Sequence, residues 1–292
     1  MSLWYHPPAQ EEPRVHSSVI AIIPARYGST RFPGKALTPI AGVPMVVRVL
    51  ERVRLARGIS QVMVATDDAR IAQAVRSAGG HAVMTRADHS SGTERLAEVA
   101  AFHTEGVADF YLNVQGDEPL VEPAALEALV ESVRAAAPAG SPPAHTPVAT
   151  LATPITAPAD LADPHVVKVV TDASGYALYF SRSAIPGVHS GSSPSDGAAP
   201  LLSEAKAAAD AAPAPPSPEA PHLKHLGVYL YSREALLAFP KLPRGRLEQL
   251  EQLEQLRLLE NGYRIRVVIT PHDSVSVDVP GDVARVEALL RQ

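Results

Sequence analysis

Apolar and polar positions alternate in blocks along the first half of the chain, and each block predicts an element. Val19–Ile23 is an unbroken, mostly β-branched run, the pattern of a strand buried on both faces. A Gly-, Pro- and Ser-containing stretch, Pro24–Pro39, follows as a loop. Pro44–Ala56 reads as a helix with Pro in its first turn and Gly58 just past its end. Gln61–Thr66 is a second strand, Asp68–Ala78 a helix closed by Gly79-Gly80, and His81–Met84 a short strand. Thr93–Phe102 is a helix, Asp109–Val114 a strand and Pro123–Ala136 a helix.

The second half is richer in strand patterns. Val166–Val170, Tyr176–Phe180, Gly227–Tyr231, Arg264–Ile269 and Ser276–Val279 are the candidates. Leu247–Glu260 repeats Leu-Glu-Gln and reads as one helix stopped by Asn261-Gly262; its spacing of three is wrong for a coiled coil. A last helix runs to Leu290 with Asp282 as its N-cap. Strand–helix alternation of this kind predicts an α/β fold with a mostly parallel central sheet flanked by helices. In such sheets ligands bind beyond the carboxyl ends of the strands.

Segment composition sets the organisation. Residues 1–17 are polar, lack the apolar core of a signal peptide and read as a flexible extension. A nucleotide-binding part is expected over about 18–135 and a smaller β-rich part over 148–292. Residues 137–147 and 188–221 read as insertions. The latter has almost no large apolar residues and too little surface to bury, so a mobile loop, or alternatively a lid, is expected there.

Charge and cysteine content narrow the chemistry. A net charge of −5 argues against general nucleic-acid binding and restricts any phosphate site to a local basic cluster. With no cysteine, a thiol nucleophile, a disulfide and a thiolate-ligated metal are all excluded. The longest early apolar run is far too short to span a bilayer, and a cytoplasmic location without membrane attachment is expected.

The loop after the first strand supplies that cluster. Arg26, Arg31 and Lys35 fall within ten residues, interspersed with Gly28, Ser29 and Gly34. Exposed amides and three cations suit a triphosphate, whose leaving diphosphate needs its charge offset. The loop lacks the Gly-Lys-Ser/Thr ending of a Walker A motif and is not GxGxxG. A second loop, Gln115-Gly116-Asp117-Glu118-Pro119, leaves a buried strand and presents an acid at the same sheet edge. Asp278, in a Val-Asp-Val-Pro setting, is a second acid; taken singly, either carboxylate could be an ordinary turn residue.

The run Pro-Ala-Arg-Tyr-Gly-Ser-Thr-Arg-Phe-Pro-Gly-Lys at 24–35 resembles the nucleotide-binding signature of the acidic-sugar cytidylyltransferases. Val64–Asp68, Met84–His89, Ser91–Arg95, Asn113–Pro119, Tyr179–Arg182, His225–Tyr229 and Leu253–Arg257 are similar to the branch of that family that activates Kdo, and less so to the sialate branch. The resemblance spans about residues 19–290 apart from the insertions. It implies a Rossmann-like nucleotide-diphospho-sugar transferase fold with a smaller β-rich sugar-binding and dimerisation lobe, and a homodimer. It also implies transfer of CMP from CTP to Kdo for lipopolysaccharide synthesis, with Mg²⁺ held by Asp117 and Asp278.

Residue by residue, the resemblance implies that Lys35, Arg26 and Asp117 serve catalysis. Pro24, Ala25, Arg26, Ser29, Arg31, Lys35, Arg86, Ser91, Gly92, Gln115 and Asp117 would line the nucleotide. Backbone groups near Ala25, Arg86 and Gln115 would read cytosine. Arg31, Gln115, Arg182, His225, Tyr229, Glu254, Gln255 and Asp278 would meet the sugar, with Arg182 on its carboxylate. His225 and Tyr229, four apart on a strand, share a face; the plainer alternative is a pair of half-buried sheet residues.

Overall fold

A computed structural model describes residues 18–28, 32–102, 108–134, 148–187 and 222–291. Ser29, Arg31, the N-terminal extension and both insertions, with the expectation of a mobile loop or lid at 188–221, lie outside them.

The strands are β1 (Val19–Ala25), β2 (Pro39–Ile40), β3 (Val43–Pro44), β4 (Gln61–Thr66), β5 (His81–Met84), β6 (Phe110–Asn113) and β7 (Val148–Pro154). They continue as β8 (Lys168–Thr171), β9 (Ala177–Ser181), β10 (Leu223–Ser232) and β11 (Ile265–Ile269). Helices are α1 (Met45–Arg54), α2 (Ala69–Ser77), α3 (Gly92–Phe102), α4 (Pro123–Arg134) and α5 (Pro158–Ala162). After them come α6 (Arg233–Ala238), α7 (Arg246–Glu251), α8 (Gln255–Glu260) and α9 (Pro280–Leu289).

The main sheet runs in the order β11-β7-β10-β6-β1-β4-β5. β1 is parallel to β4 and β6, and β4 to β5. β10 is antiparallel to both of its neighbours, β6 and β7, while β11 pairs parallel with β7. The β8–β9 hairpin pairs through β8 with the start of β10. The strands of the second half therefore extend the sheet of the first half, and the hairpin alone stands off its main path.

β1 explains why its sequence has no polar alternation. Val19, Ala21, Ile23 and Ala25 pack into one apolar cluster with α1, α2 and α4; Ile20 and Ile22 pack into another with α3, α6 and α8. A strand at the centre of two covered faces needs apolar residues at every position. α2 begins one residue later than read, because Asp68 is its N-cap and accepts from the Arg70 amide at 2.8 Å; Gly79 ends it with φ +69°.

Three predicted elements differ. The 247–260 helix is two, α7 and α8, broken at Gln252 with φ +54°. The break lets α7 face Glu248 inward, where it accepts from Arg257 of α8 at 2.6 and 2.8 Å. Ser276–Val279 is not a strand, because its amides bond elsewhere. The Val277 amide donates to the Asp117 carbonyl at 2.9 Å, and those of Asp278 and Val279 to the Asp282 carboxylate at 2.8 and 2.9 Å. Asp282 consequently sits inside the first turn of α9, with Val279 at the cap position. β7, buried throughout, escaped sequence reasoning because it follows directly on the Ala/Pro-rich stretch.

Candidate active site

β1 and β6 lie side by side and parallel, so their carboxyl ends open at one edge of the sheet. The chain leaving β1 supplies Pro24, Ala25 and Arg26; the chain leaving β6 supplies Gln115, Gly116 and Asp117. With Ser91, Gly92, Lys35 and Asp278 they line a cleft of about 320 Å³. Gly116 is needed for close approach: a Cβ there would lie 2.8 Å from the Pro24 carbonyl oxygen. Gly34, at φ +73°, turns the chain into the short 3₁₀ turn Lys35–Leu37, which aims Lys35 back into the cleft.

Lys35 is the electrostatic pivot. Its Nζ lies 2.6 Å from Asp117 Oδ2 and 3.7 Å from Asp278 Oδ1, so two acids distant in sequence face one cation. Arg26 is exposed at the rim. The amino end of α3 enters through Ser91 and Gly92, adding the positive end of a helix dipole that favours an anion. Cations, amides and paired carboxylates are thus gathered at a single sheet edge.

The donor chemistry suits magnesium. Among the described residues there is no group of three acidic or imidazole ligands. A pair of carboxylates facing one point is the protein share of a site whose shell is completed by water and phosphate oxygens.

The structure gathers Pro24, Ala25, Arg26, Lys35, Ser91, Gly92, Gln115, Asp117 and Asp278 around the cleft. Arg86 is not among the lining residues; its side chain is exposed and lies 3.4 Å from Asp88 and 3.6 Å from Glu98. Arg95 and His89 line the cleft without having been singled out. Arg95 is only 3% exposed and bonds Thr85, the Arg86 carbonyl and Asp67. The available signal was a full positive charge on a helix position otherwise facing the core. His89 pairs through Nε2 with Glu98.

Of the residues expected at the sugar, Gln115 and Asp278 line the cleft, while His225, Tyr229, Glu254 and Gln255 form a polar column on β10 and the start of α8, outside that lining. Tyr229 pairs with Asn113, and Gln115 donates to the Asn113 side chain at 3.3 Å, which joins this column to the cleft. Glu254 accepts from Thr93 Oγ1 at 2.5 Å, one residue from Gly92, and burial raises its pKa. Gln255 is buried. The His225 ring touches Phe180 and Tyr229, bonds Thr150 at 3.0 Å, and is pushed down to about 3 by burial. Burial raises the Tyr229 hydroxyl well above its ordinary value.

Arg182 stands apart from the cleft. Its guanidinium donates to three carbonyls, those of Glu251 (2.8 Å), Pro164 (3.0 Å) and Gln252 (3.4 Å), fastening the β9 end to the break between α7 and α8. Lys168 does similar work nearby, with its buried ammonium on the carbonyls of Asp163, Val166 and Arg182.

This fold and this cleft define a nucleotidyl-transferring class, and comparison gives its name: the cytidylyltransferase family model matches residues 20–265, and the chain belongs to that family. Within it, the chain belongs with the 3-deoxy-manno-octulosonate cytidylyltransferases. It is 49% identical over 269 residues to the protein of that name from Geobacter sulfurreducens, covering 92% of this chain and 98% of that one. The relative of the same name from Syntrophotalea carbinolica is also 49% identical, over 94% of this chain and 99% of its own. A solved structure of CMP:2-keto-3-deoxy-manno-octonic acid synthetase complexed with CTP superposes with a TM-score of 0.77 at 42% identity, over 94% of this chain and 99% of that chain. The 4-diphosphocytidyl-2C-methyl-D-erythritol synthase of Anaerococcus prevotii shares the fold alone, with a TM-score of 0.56 at 10% identity, over 95% of this chain and 97% of that chain.

Proposed function

We propose that this protein transfers CMP from CTP to 3-deoxy-D-manno-octulosonate (Kdo), giving CMP-Kdo and diphosphate for lipopolysaccharide synthesis, with Mg²⁺ held by Asp117 and Asp278. The observation that carries the reading is the convergence of Asp117 and Asp278 on Lys35 beside the Arg26 loop. Relatives nearly half identical along almost their whole length point to the same substrates.

The anomeric hydroxyl oxygen of Kdo bonds to the α-phosphorus of CTP as the bond from that phosphorus to the β-phosphate bridging oxygen breaks. The hydroxyl proton is lost to solvent, and the electron pair leaves with diphosphate. No covalent intermediate on the chain is needed, so the protein contributes position and charge. Arg26 and Lys35 offset the charge that grows on the leaving diphosphate. Amides of the Gly116 turn and of the α3 amino end cradle phosphate oxygens. Asp117 and Asp278 would hold Mg²⁺, which would supply positive charge to offset that of the phosphates and favour ionisation of the attacking hydroxyl. Gln115 orients both substrates, since it borders the cleft and the polar column.

Among the described residues no helix is long and apolar enough to cross a membrane. A cytoplasmic homodimer accompanies this reading. Diphosphate release measured with each of the four nucleoside triphosphates against Kdo and sialate tests it. Turnover confined to CTP with Kdo, and dependent on Mg²⁺, is expected; preference for sialate or for another nucleotide would overturn it.

A further inference from the structure

Glu118 follows Asp117 directly, is only 6% exposed, and borders the cleft without lining it. A buried carboxyl is costly unless something uses it. Its Oε2 accepts from Ser274 Oγ at 2.8 Å, across 156 positions. Ser274 belongs to the segment between β11 and α9 that carries Asp278 and has no ladder of its own. That segment is held by side-chain and backbone contacts instead of strand pairing: Asp273 on Lys224 at 2.8 Å, Ser274 on Glu118, the Val277 amide on the Asp117 carbonyl at 2.9 Å, Asp278 beside Lys35 at 3.7 Å, the Asp278 and Val279 amides on Asp282, and the Val277 side chain buried with Ile40, Met45 and Val286. Both Glu118 and Asp117 thus grip it, one by side chain and one by backbone, from a single turn.

We propose that Glu118 is a positioning residue: through Ser274 it holds the 270–279 segment against the 115–119 turn, and so sets Asp278 opposite Asp117. The two carboxylates come from chain regions 161 positions apart (278 − 117), and neither is placed by a strand. Asp117 is oriented by its turn; Asp278 depends on where its irregular segment docks. The Ser274–Glu118 bond fixes that docking four residues before Asp278, and the Asp282 carboxylate fixes it just after. Gly227 leaves room for this arrangement, since a Cβ there would lie 3.3 Å from Glu118 Oε1. The inference rests on the reading of Asp117 and Asp278 as metal carboxylates.

Hydrogen exchange on the metal-free, substrate-free protein tests the tether apart from activity. In Glu118→Ala and in Ser274→Ala the peptide spanning 271–279 is expected to exchange at least tenfold faster, with β1 and β4 unchanged. In Glu118→Gln, which keeps an oxygen to accept from Ser274, exchange stays within threefold of the parent. Turnover with CTP and Kdo then reads the consequence. The Mg²⁺ concentration for half-maximal rate rises at least fivefold in the two alanine variants, while KM for CTP at saturating Mg²⁺ moves less than twofold, and Glu118→Gln restores the parent value. Should Glu118→Ala fail to fold, Ser274→Ala and Glu118→Gln decide. Unchanged exchange and unchanged Mg²⁺ requirement in Ser274→Ala overturn the proposal, as does a Glu118→Gln protein that exchanges as fast as the alanine variants. If exchange follows expectation but the parent makes no CMP-Kdo, the tether stands and the functional reading falls.

Discussion

Lys35 donates from Nζ to Oδ2 of Asp117 at 2.6 Å, joining the loop after β1 to the turn after β6. The contact spans 82 positions and brings the loop's last cation onto the first acid of the site. Asp117→Asn removes the charge but keeps the shape. Turnover is expected to fall at least a hundredfold, about 2.7 kcal/mol of barrier, with the thermal unfolding midpoint little changed. A loss of less than threefold would remove Asp117 from the metal role.

Asp278 is the second acid on Lys35, at 3.7 Å, and is more open than Asp117. Two carboxylates hold magnesium only with help from substrate oxygens. Chelation should therefore abolish turnover, and Mg²⁺ should restore it. Asp278→Asn should demand at least tenfold more Mg²⁺ for half-maximal rate. A metal titration of both proteins, with CTP and Kdo saturating, checks this.

Arg182 spends its guanidinium on carbonyls of Pro164, Glu251 and Gln252. Hydrogen bonds to a charged donor each contribute about 1.5–3 kcal/mol, and water replaces part of that where the group is open. Arg182→Ala should lower unfolding free energy by about 1.5–3 kcal/mol in urea. KM values for Kdo and CTP on the same variant report any sugar contact separately: a rise for Kdo alone is the mark of a carboxylate ligand.

His225 is pushed down to about 3 by burial, so the folded protein keeps it neutral where the unfolded chain, at about 6.5, takes up a proton. This contribution is fully present above pH 6.5 and is lost as pH falls toward 3, at a limiting slope of about 1.4 kcal/mol per pH unit. Glu118, pushed up to about 7 by burial and by the Asp117 charge, acts in the opposite sense as pH falls from 7 toward its unfolded value. Comparing the parent with His225→Asn isolates the histidine. The variant should lose less stability between pH 6.5 and 4.5, measured by urea unfolding at each pH.

Legibility followed the physics of each element. β4 and β5 were read with their observed boundaries, and β1 and α2 within a residue or two, because period and caps are local signals. The phosphate-type loop and the acidic turn were visible because each leaves a buried strand. Arg95 was missed, since only tertiary packing reveals a charged helix residue turned inward to Asp67 and Thr85. The 276–279 strand failed for a related reason. Its alternating pattern is real, and Val277 is buried, but the amides pair with Asp117 and Asp282 instead of a neighbouring strand. The 247–260 helix failed at Gln252, a residue with no local signature of a left-handed turn.

β11 completes the sheet at Ile269, nine residues before Asp278 (278 − 269). The tail beyond the sheet nevertheless packs into the body of the protein, with Val277 and Val286 buried against Ile40 and Met45. A descendant could replace Asp278 alone, keep those contacts and every strand, and still offer a pocket to a nucleotide with one acid fewer at its edge. Such a protein would be a natural starting point for a sensor built from an enzyme.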